Sequence, residues 1–197
     1  MSYDKRLSYS WQNLTTTSGE QYHCSYCGNR VGPSQKFFGV CGGAGIPTKN
    51  VSIFICPVCY QPTFFDYANN QIPGVRLGAD LQYVPSDGLK QLYDEARDCS
   101  AAGAYTACVM ACRKILMNLA VREGAKEGLG FVEYVDYLND NGYVPKKGKD
   151  WVDRIRKMGN EANHAIAPKN HGEAKDILHL VEMLLRFNFE LGTPANS

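Results

Sequence analysis

Two pairs of cysteines with identical spacing are the residues of this sequence best suited to chemistry. Cys24 and Cys27 form one C-x-x-C pair, Cys56 and Cys59 form the other, and 28 residues lie between the pairs. The two sulfurs of such a pair can point at one metal ion from a single tight turn. Four thiolates make a closed tetrahedral site, so the spacing predicts a structural Zn²⁺ without an open position for water. An iron–sulfur centre or a redox role is the alternative.

A second candidate site lies in the stretch 150–167, whose apolar residues recur at spacings of three and four and predict an amphipathic helix. Arg156, Asn160 and His164 recur every four residues on the other side of that helix. Successive members are rotated by about 40°, so the three side chains share one face. A cation, an amide and an imidazole together can hold an anion and move a proton. A solvated polar face is the alternative interpretation.

Positive charge is concentrated next to this face, where residues 146–157 carry a net charge of +4. Such a cluster predicts a patch that contacts phosphates, with a solvated loop as the alternative. Arg113 is a further candidate for binding, because it is a charge embedded in an apolar helical stretch and can snorkel, pair with a carboxylate or point at the same pocket. The cations of the cluster are Lys146, Lys147, Lys149, Arg154, Arg156 and Lys157.

The cysteine pairs need a β-rich segment to position them, and residues 21–67 have that character. β-type runs at Lys36–Val40 and Val51–Ile55 flank a glycine-rich turn, which together predict a zinc ribbon held by its metal. We expect Cys41 to be a free thiol and His23 a strand or turn histidine, each outside the metal site. Residues 1–20 are expected to form a flexible or loosely paired lead-in, and residues 68–85 a linker.

From Ser86 onwards the pattern is helical, and residues 86–197 are predicted to form a five-helix bundle. The chain as a whole is therefore expected to be α+β, with a small β zinc ribbon followed by the bundle. The last helix is apolar around more than one face, which indicates either central burial or a homodimer interface. The predicted spans are 86–102, 104–122, 129–139, 150–167 and 173–191, with Ser86 as the first N-cap.

Composition narrows the class of protein. Of the 197 residues, 44% are hydrophobic and the formal net charge is +1, so no global field attracts the chain to nucleic acid or to a membrane surface. No long apolar run predicts a signal peptide or a membrane span. We therefore expect a soluble, cytoplasmic protein with reduced cysteines and no membrane partner.

The helical part resembles a prokaryotic family of uncharacterised domains similar to the HEPN superfamily (higher eukaryotes and prokaryotes nucleotide-binding). The likeness covers about Val84 to Leu191 and depends on three features. These are the Y-x-E-A sequence at residues 93–96, an arginine in the second helix at Arg113, and the pattern R-x-x-G-N-x-x-x-H from Arg156 to His164. Domains of this kind occur in restriction and phage-defence settings, often with an N-terminal zinc ribbon.

The resemblance also implies which reaction the helical part could catalyse, namely RNA cleavage. HEPN ribonucleases are metal-independent dimers in which an arginine steadies the scissile phosphate and a histidine moves a proton, roles that would fall on Arg156 and His164, with Asn160 orienting. The family places its arginine directly before the polar residue, where this chain has Gly159. We therefore expect a non-catalytic module that associates with RNA or a nucleotide in a defence-type system. The alternatives are a dimeric metal-independent endoribonuclease and a protein–protein adaptor.

Overall fold

A computed structural model gives the structure of the protein and divides the chain into two compact units, Met1–Arg76 and Leu77–Ser197. The first is built from β-strands and the second from helices, which confirms the predicted α+β class. The division falls inside the segment predicted to be a linker. The residues that the structure describes are 10–14, 19–43, 46–85, 88–144, 152–157 and 167–191.

The described part of the β unit contains a five-stranded antiparallel sheet with the order β1-β4-β5-β6-β7 and a two-stranded hairpin, β2–β3. The two long strands contain the two β-type runs expected from the sequence. The strands are β1 (Ser10–Leu14), β2 (Tyr22–His23), β3 (Arg30–Val31), β4 (Gln35–Gly43), β5 (Ile46–Ile55), β6 (Pro62–Phe65) and β7 (Gln71–Ile72).

The lead-in is more regular than its sequence indicates. β1 pairs with β4 along its whole length, from Ser10 opposite Val40 to Leu14 opposite Lys36. Its polar residues give no alternating apolar pattern, but the unpaired edge of β4 offers backbone donors and acceptors to any extended segment. Backbone pairing therefore forms this strand where side-chain patterning does not predict it.

The helical unit contains all five predicted helices within the residues that are described. α2 contacts α1, α3 and α5, and it forms the centre of the unit. No helix in these residues combines the length and the apolar character needed to cross a bilayer. The helices are α1 (Leu89–Ala101), α2 (Tyr105–Arg122), α3 (Phe131–Asp140), α4 (residues 152–157) and α5 (His171–Leu185), followed by a π-helical turn at Arg186–Glu190.

α5 is buried on several faces, in agreement with one of the two interpretations of its apolar sequence. Seven of its residues lie in the core, among them Ile177, Leu178 and Leu184. Its start is fixed by a capping box in which the Glu173 amide donates to Asn170 Oδ1 at 3.1 Å and the Asn170 amide donates to the Glu173 carboxylate at 2.9 Å. The helix therefore begins at His171, two residues before the predicted start.

α1 begins later than predicted, at Leu89, and Gly88 is its N-cap residue. Ser86, the expected cap, lies outside the described residues. The segment before α1 packs on the helical unit through buried Leu81 and Val84. Its backbone therefore follows the bundle surface for several residues before the first helix starts.

Arg97 of α1 holds this segment in place although only 5% of the residue is exposed. Its Nε donates to the Leu77 carbonyl at 3.0 Å and its Nη2 donates to the Gly78 carbonyl at 3.1 Å. Its Nη1 donates to carboxylate oxygens of Asp80 and Asp94. All three guanidinium nitrogens are thus satisfied, mostly by the chain 17 to 20 residues earlier.

Candidate functional site

The four cysteine sulfurs of the β unit lie close enough together to hold one metal ion. Cys24 Sγ is 3.5 Å from Cys59 Sγ, Cys27 Sγ is 3.7 Å from Cys56 Sγ, and all four atoms lie within 4.8 Å of one another. A tetrahedral ion bound at about 2.3 Å from each sulfur would space the sulfurs by about 3.8 Å. A disulfide requires about 2.05 Å. The geometry therefore fits a metal-thiolate centre and not a pair of disulfides.

Two knuckles with the same backbone geometry carry these cysteines. In the first, the Gly28 amide donates to the Cys24 carbonyl at 2.9 Å, and in the second the Tyr60 amide donates to the Cys56 carbonyl at 3.0 Å. The residue after each second cysteine has a left-handed backbone, with φ of 71° at Gly28 and 60° at Tyr60. This conformation turns the chain back under the sulfurs. The equal spacing of the cysteines therefore reflects two structurally equivalent turns.

Hydrogen bonds and burial give the sulfurs different affinities for protons. Hydrogen bonds from Asn29 lower the pKa of Cys27 to about 6. Burial raises the pKa of Cys24 to about 12. The Val58 amide also donates a hydrogen bond to Cys56 Sγ at 3.4 Å. The cluster is thus prepared to bind a cation, which would replace the remaining thiol protons.

A small aromatic core lies against the cysteines. The rings of Tyr22, Phe54 and Phe65 pack with centroid distances of 4.6 to 5.7 Å. Cys24 and Cys56 are fully buried in the same cluster, whereas Cys27 and Cys59 are partly exposed. The β unit therefore has a small hydrophobic core that includes two of the four cysteines.

A further set of hydrogen bonds fixes the first knuckle from behind. Gln71 Nε2 donates to Ser25 Oγ at 2.7 Å and to the His23 carbonyl at 2.8 Å, while Ser25 Oγ donates to the Pro73 carbonyl at 2.6 Å. His23 itself is exposed and is not among the described residues grouped as metal ligands. The side chain of Cys41 lies outside the described part of the structure.

Arg156 is the described member of the predicted Arg–Asn–His face, and it is held by two carboxylates. Its Nε pairs with Asp136 of α3, and its Nη1 pairs with Asp153 of α4 at 2.6 Å. Asn160 and His164 lie outside the described residues, so the structure does not test whether the three side chains converge. The Arg156 guanidinium, which is described, contacts acidic groups of the helical unit.

Arg113 contacts a different part of α3. Its guanidinium carbon lies 4.3 Å from the centroid of the Phe131 ring. Its Nη1 is buried without a hydrogen-bond partner in the described part of the structure, and burial lowers its pKa. Phe131 and Asp136 are five residues apart and therefore about 140° apart around the helix. The contacts of Arg113 and Arg156 thus lie on different faces of α3.

The predicted basic patch is only partly described. Arg154 pairs with Asp176 of α5 at 3.0 Å, and Lys157 is exposed. Lys146, Lys147 and Lys149 lie outside the described residues. The two described cations flank Arg156 on α4, so the surface there combines positive and negative groups.

Two exposed tyrosines on the knuckles are the most prominent feature that the sequence analysis missed. Tyr26 lies between the cysteines of the first knuckle and Tyr60 directly follows the second, with 48% and 74% of the residue exposed. Val58, at the position equivalent to Tyr26, is 55% exposed. An aromatic or apolar residue inside a C-x-x-C turn is the signal that would have found them, because both turns must face solvent once their sulfurs point inward.

Comparison with known proteins identifies the helical half of the chain. The family described as "Domain of unknown function (DUF4145)" matches residues 94–196, which is more than half of the sequence. The chain belongs to the DUF4145 family. The match covers most of α1 and all the later helices, and the four cysteines lie outside it. Comparison with curated proteins and with solved structures gives no match.

Proposed function

We propose that this DUF4145 protein is a zinc-stabilised, non-catalytic module that associates with RNA or a nucleotide in a prokaryotic defence-type system. The metal would be structural Zn²⁺ held by Cys24, Cys27, Cys56 and Cys59, because four thiolates at these separations satisfy its tetrahedral preference. Metal analysis of the purified protein should find one zinc per chain. Iron together with visible absorption would instead indicate a cluster.

The observation that carries the binding proposal is the pair of exposed tyrosines on the two knuckles. The knuckle surface is defined here as Tyr26, Val58 and Tyr60. These exposed side chains belong to two turns whose cysteines converge on one point. Exposed aromatic rings on a rigid support stack on unpaired bases, and each stacked base contributes about 1–3 kcal/mol. Arg30, exposed on the adjacent strand β3, has no ion pair within the described residues and supplies a cation for the phosphates.

The arrangement of Arg156 weighs against the alternative of a metal-independent ribonuclease that uses Arg156 and His164. A guanidinium that steadies a phosphate must offer donors to it, whereas two donors of Arg156 are directed at Asp136 and Asp153. A phosphate would be limited to the remaining donors of the guanidinium, and the two nearby carboxylates would repel it. This is why we place binding ahead of catalysis.

Binding is tested by fluorescence anisotropy with a labelled single-stranded RNA. We expect Tyr26→Ala and Tyr60→Ala each to weaken binding by about tenfold, in line with the loss of one stacked base. Tyr67→Ala is the matched control, because Tyr67 is 58% exposed on the turn between β6 and β7, outside the knuckles. Equal effects of all three variants, or no binding at low salt, would refute the proposal.

Catalysis is tested by incubating the protein with RNA in the presence of EDTA. The binding proposal predicts no cleavage, with affinity that falls steeply as salt is raised. Cleavage that resists EDTA and disappears in His164→Ala would establish the ribonuclease instead. If the protein neither cuts nor binds RNA or nucleotides, a protein–protein adaptor becomes the better hypothesis.

We also propose that the protein forms a homodimer through the helical unit. Phe187 and Leu191, at the end of the last helix, are 56% and 77% exposed, and Met110 of α2 is 57% exposed. Apolar side chains that face solvent are suited to an interface between copies. In light scattering, Phe187→Asp should give a monomer, whereas Tyr83→Asp, at a residue 62% exposed on the segment before α1, should not.

A further inference from the structure

A cavity of about 370 Å³ lies between the first half of α1 and the second half of α2. The two helices are antiparallel neighbours joined by a short turn, so these halves meet at the open end of the helix pair. Leu89, Leu92 and Ile115 supply its apolar surface, and Ile115 is fully buried beneath it. A volume of this size lies at the lower end of the range of small-molecule sites.

Five polar side chains line the same cavity, and four of them are arranged as two pairs. Gln91 and Glu95 are four residues apart on α1, and Lys114 and Asn118 are four residues apart on α2, so each pair lies on one face of its helix. None of the four makes a side-chain hydrogen bond or an ion pair with any described residue. Glu95 and Lys114 thus present opposite charges to one cavity without pairing with each other or with a neighbour.

We propose that this cavity binds a small zwitterionic ligand of the free amino-acid type with an apolar side chain. The Glu95 carboxylate would accept hydrogen bonds from the ligand ammonium, and the Lys114 ammonium would donate to the ligand carboxylate. The amides of Gln91 and Asn118 can each donate and accept, so they suit either end of such a ligand. Its apolar side chain would cover Leu92 and Ile115.

A phosphate-bearing ligand fits these groups less well. Arg122 also lines the cavity, but its guanidinium carbon lies 5.5 Å from the Phe189 ring centroid, so part of its surface is already covered. Lys114 is then the main cation available, and Glu95 would repel a dianionic phosphate. The proposal is independent of RNA binding at the knuckle surface, because that surface belongs to the other unit.

The experiment is isothermal titration calorimetry of the full-length zinc-loaded protein with L-leucine, N-acetyl-L-leucine and L-leucinamide. We expect L-leucine to bind, and removal of either ligand charge to weaken binding by about tenfold or more. Glu95→Gln should weaken the binding of L-leucine to a similar degree. It should leave the binding of N-acetyl-L-leucine unchanged, because that ligand has no ammonium to lose. Lys114→Met should likewise weaken the binding of L-leucine and leave the binding of L-leucinamide unchanged, because that ligand has no carboxylate to lose.

Matched controls are Glu127→Gln and Lys126→Met, at exposed positions in the loop between α2 and α3. Both should bind L-leucine as the unaltered protein does. No binding of L-leucine up to about 10 mM would overturn the proposal. Binding that is insensitive to Glu95→Gln and Lys114→Met, or binding of adenosine monophosphate in its place, would overturn it too. Circular dichroism of each variant confirms that the helices are intact.

Discussion

At the scale of single residues, three arginines of the helical unit show how one side chain can have different roles. Arg97 has partners for all its nitrogens, and Arg156 has two carboxylates. Arg113 has an aromatic ring and one buried nitrogen without a partner among the described residues. A buried donor without an acceptor costs about 1–3 kcal/mol. Arg97 is therefore a structural residue, whereas Arg113 keeps a buried donor to which no described residue offers an acceptor.

We predict that Arg97→Met will destabilise the helical unit by about 2–4 kcal/mol, because it leaves the Leu77 and Gly78 carbonyls without their buried donor. The control is Arg154→Met, since Arg154 forms an ion pair with its side chain 55% exposed and should contribute less than about 1 kcal/mol. Urea unfolding followed by circular dichroism measures both. Similar midpoints for the two variants would contradict the role of Arg97.

The cysteine thiols should make metal binding strongly dependent on pH. Burial raises the pKa of Cys24 to about 12, and the pKa of Cys59 is also raised, whereas that of Cys27 is lowered to about 6. At pH 7 Cys24 and Cys59 are therefore protonated before zinc binds, so binding should release at least these two protons. Zinc affinity should therefore fall as pH falls, because protons compete for the sulfurs.

Calorimetry in buffers with different ionisation enthalpies counts these protons. Release of about one proton per zinc would show that the sulfurs are already ionised and would contradict the assignment. Release of about four would indicate that the metal-free knuckles do not hold Cys27 next to Asn29, since a free thiol has a pKa near 8.5.

At the scale of elements, the two knuckles have the same backbone conformation but different sequences. Gly28 and Tyr60 occupy equivalent left-handed positions, and only glycine adopts this conformation without steric cost. Tyr60→Gly should therefore strengthen zinc binding by up to about 1 kcal/mol, or fivefold, and Gly28→Ala should weaken it by a similar factor. A Cβ at Gly28 meets no atom of the described residues within 4 Å, so the variant tests backbone strain.

Competition with a chromophoric chelator measures both affinities. The same Tyr60→Gly variant should bind RNA more weakly while it binds zinc more tightly. These opposite changes separate the effect of the lost ring from the effect of the relaxed backbone. A change of both affinities in the same direction would contradict either the strain at Tyr60 or its role in binding.

Much of the secondary structure and the cysteine cluster could be predicted from the sequence. The paired cysteines, the long strands β4 and β5 and the helical periodicity follow from local spacing, and α2 was predicted within one residue of its observed start. These features are local, because spacing along the chain decides which side chains share a face or a turn.

Features that depend on distant backbone partners could not be predicted. β1 forms because β4 offers a free edge, and the segment before α1 is ordered because Arg97 reaches carbonyl groups about 20 residues earlier. From the sequence, the first segment was expected to be a flexible or loosely paired lead-in and the second a linker, without the partners that position them. The cavity between α1 and α2 was also missed, since its polar residues look like ordinary solvated positions in each helix alone.

At the scale of the whole molecule, each unit has its own hydrophobic core, and the cysteine cluster found among the described residues lies in the β unit. We therefore predict that a zinc chelator will abolish the thermal transition of the β unit and leave that of the helical unit unchanged. Structural zinc supplies on the order of 10 kcal/mol to domains of this size. Differential scanning calorimetry should resolve the two transitions.

Cys56→Ser should reproduce the effect of the chelator. Cys99→Ser is the control, because Cys99 packs against the helical core and is not one of the four clustered cysteines. A chelator that lowers both transitions equally would show that the two units unfold as one and that the metal stabilises more than the β unit.

The anchoring of the chain ahead of α1 has a practical consequence for anyone who wishes to study the helical unit by itself. A gene fragment cut where the DUF4145 match starts would begin at Asp94, inside α1, and would delete both the first turn of that helix and every carbonyl that Arg97 binds. Such a fragment should aggregate on expression. One that starts at Leu77 retains the complete surface and should be the shortest that folds.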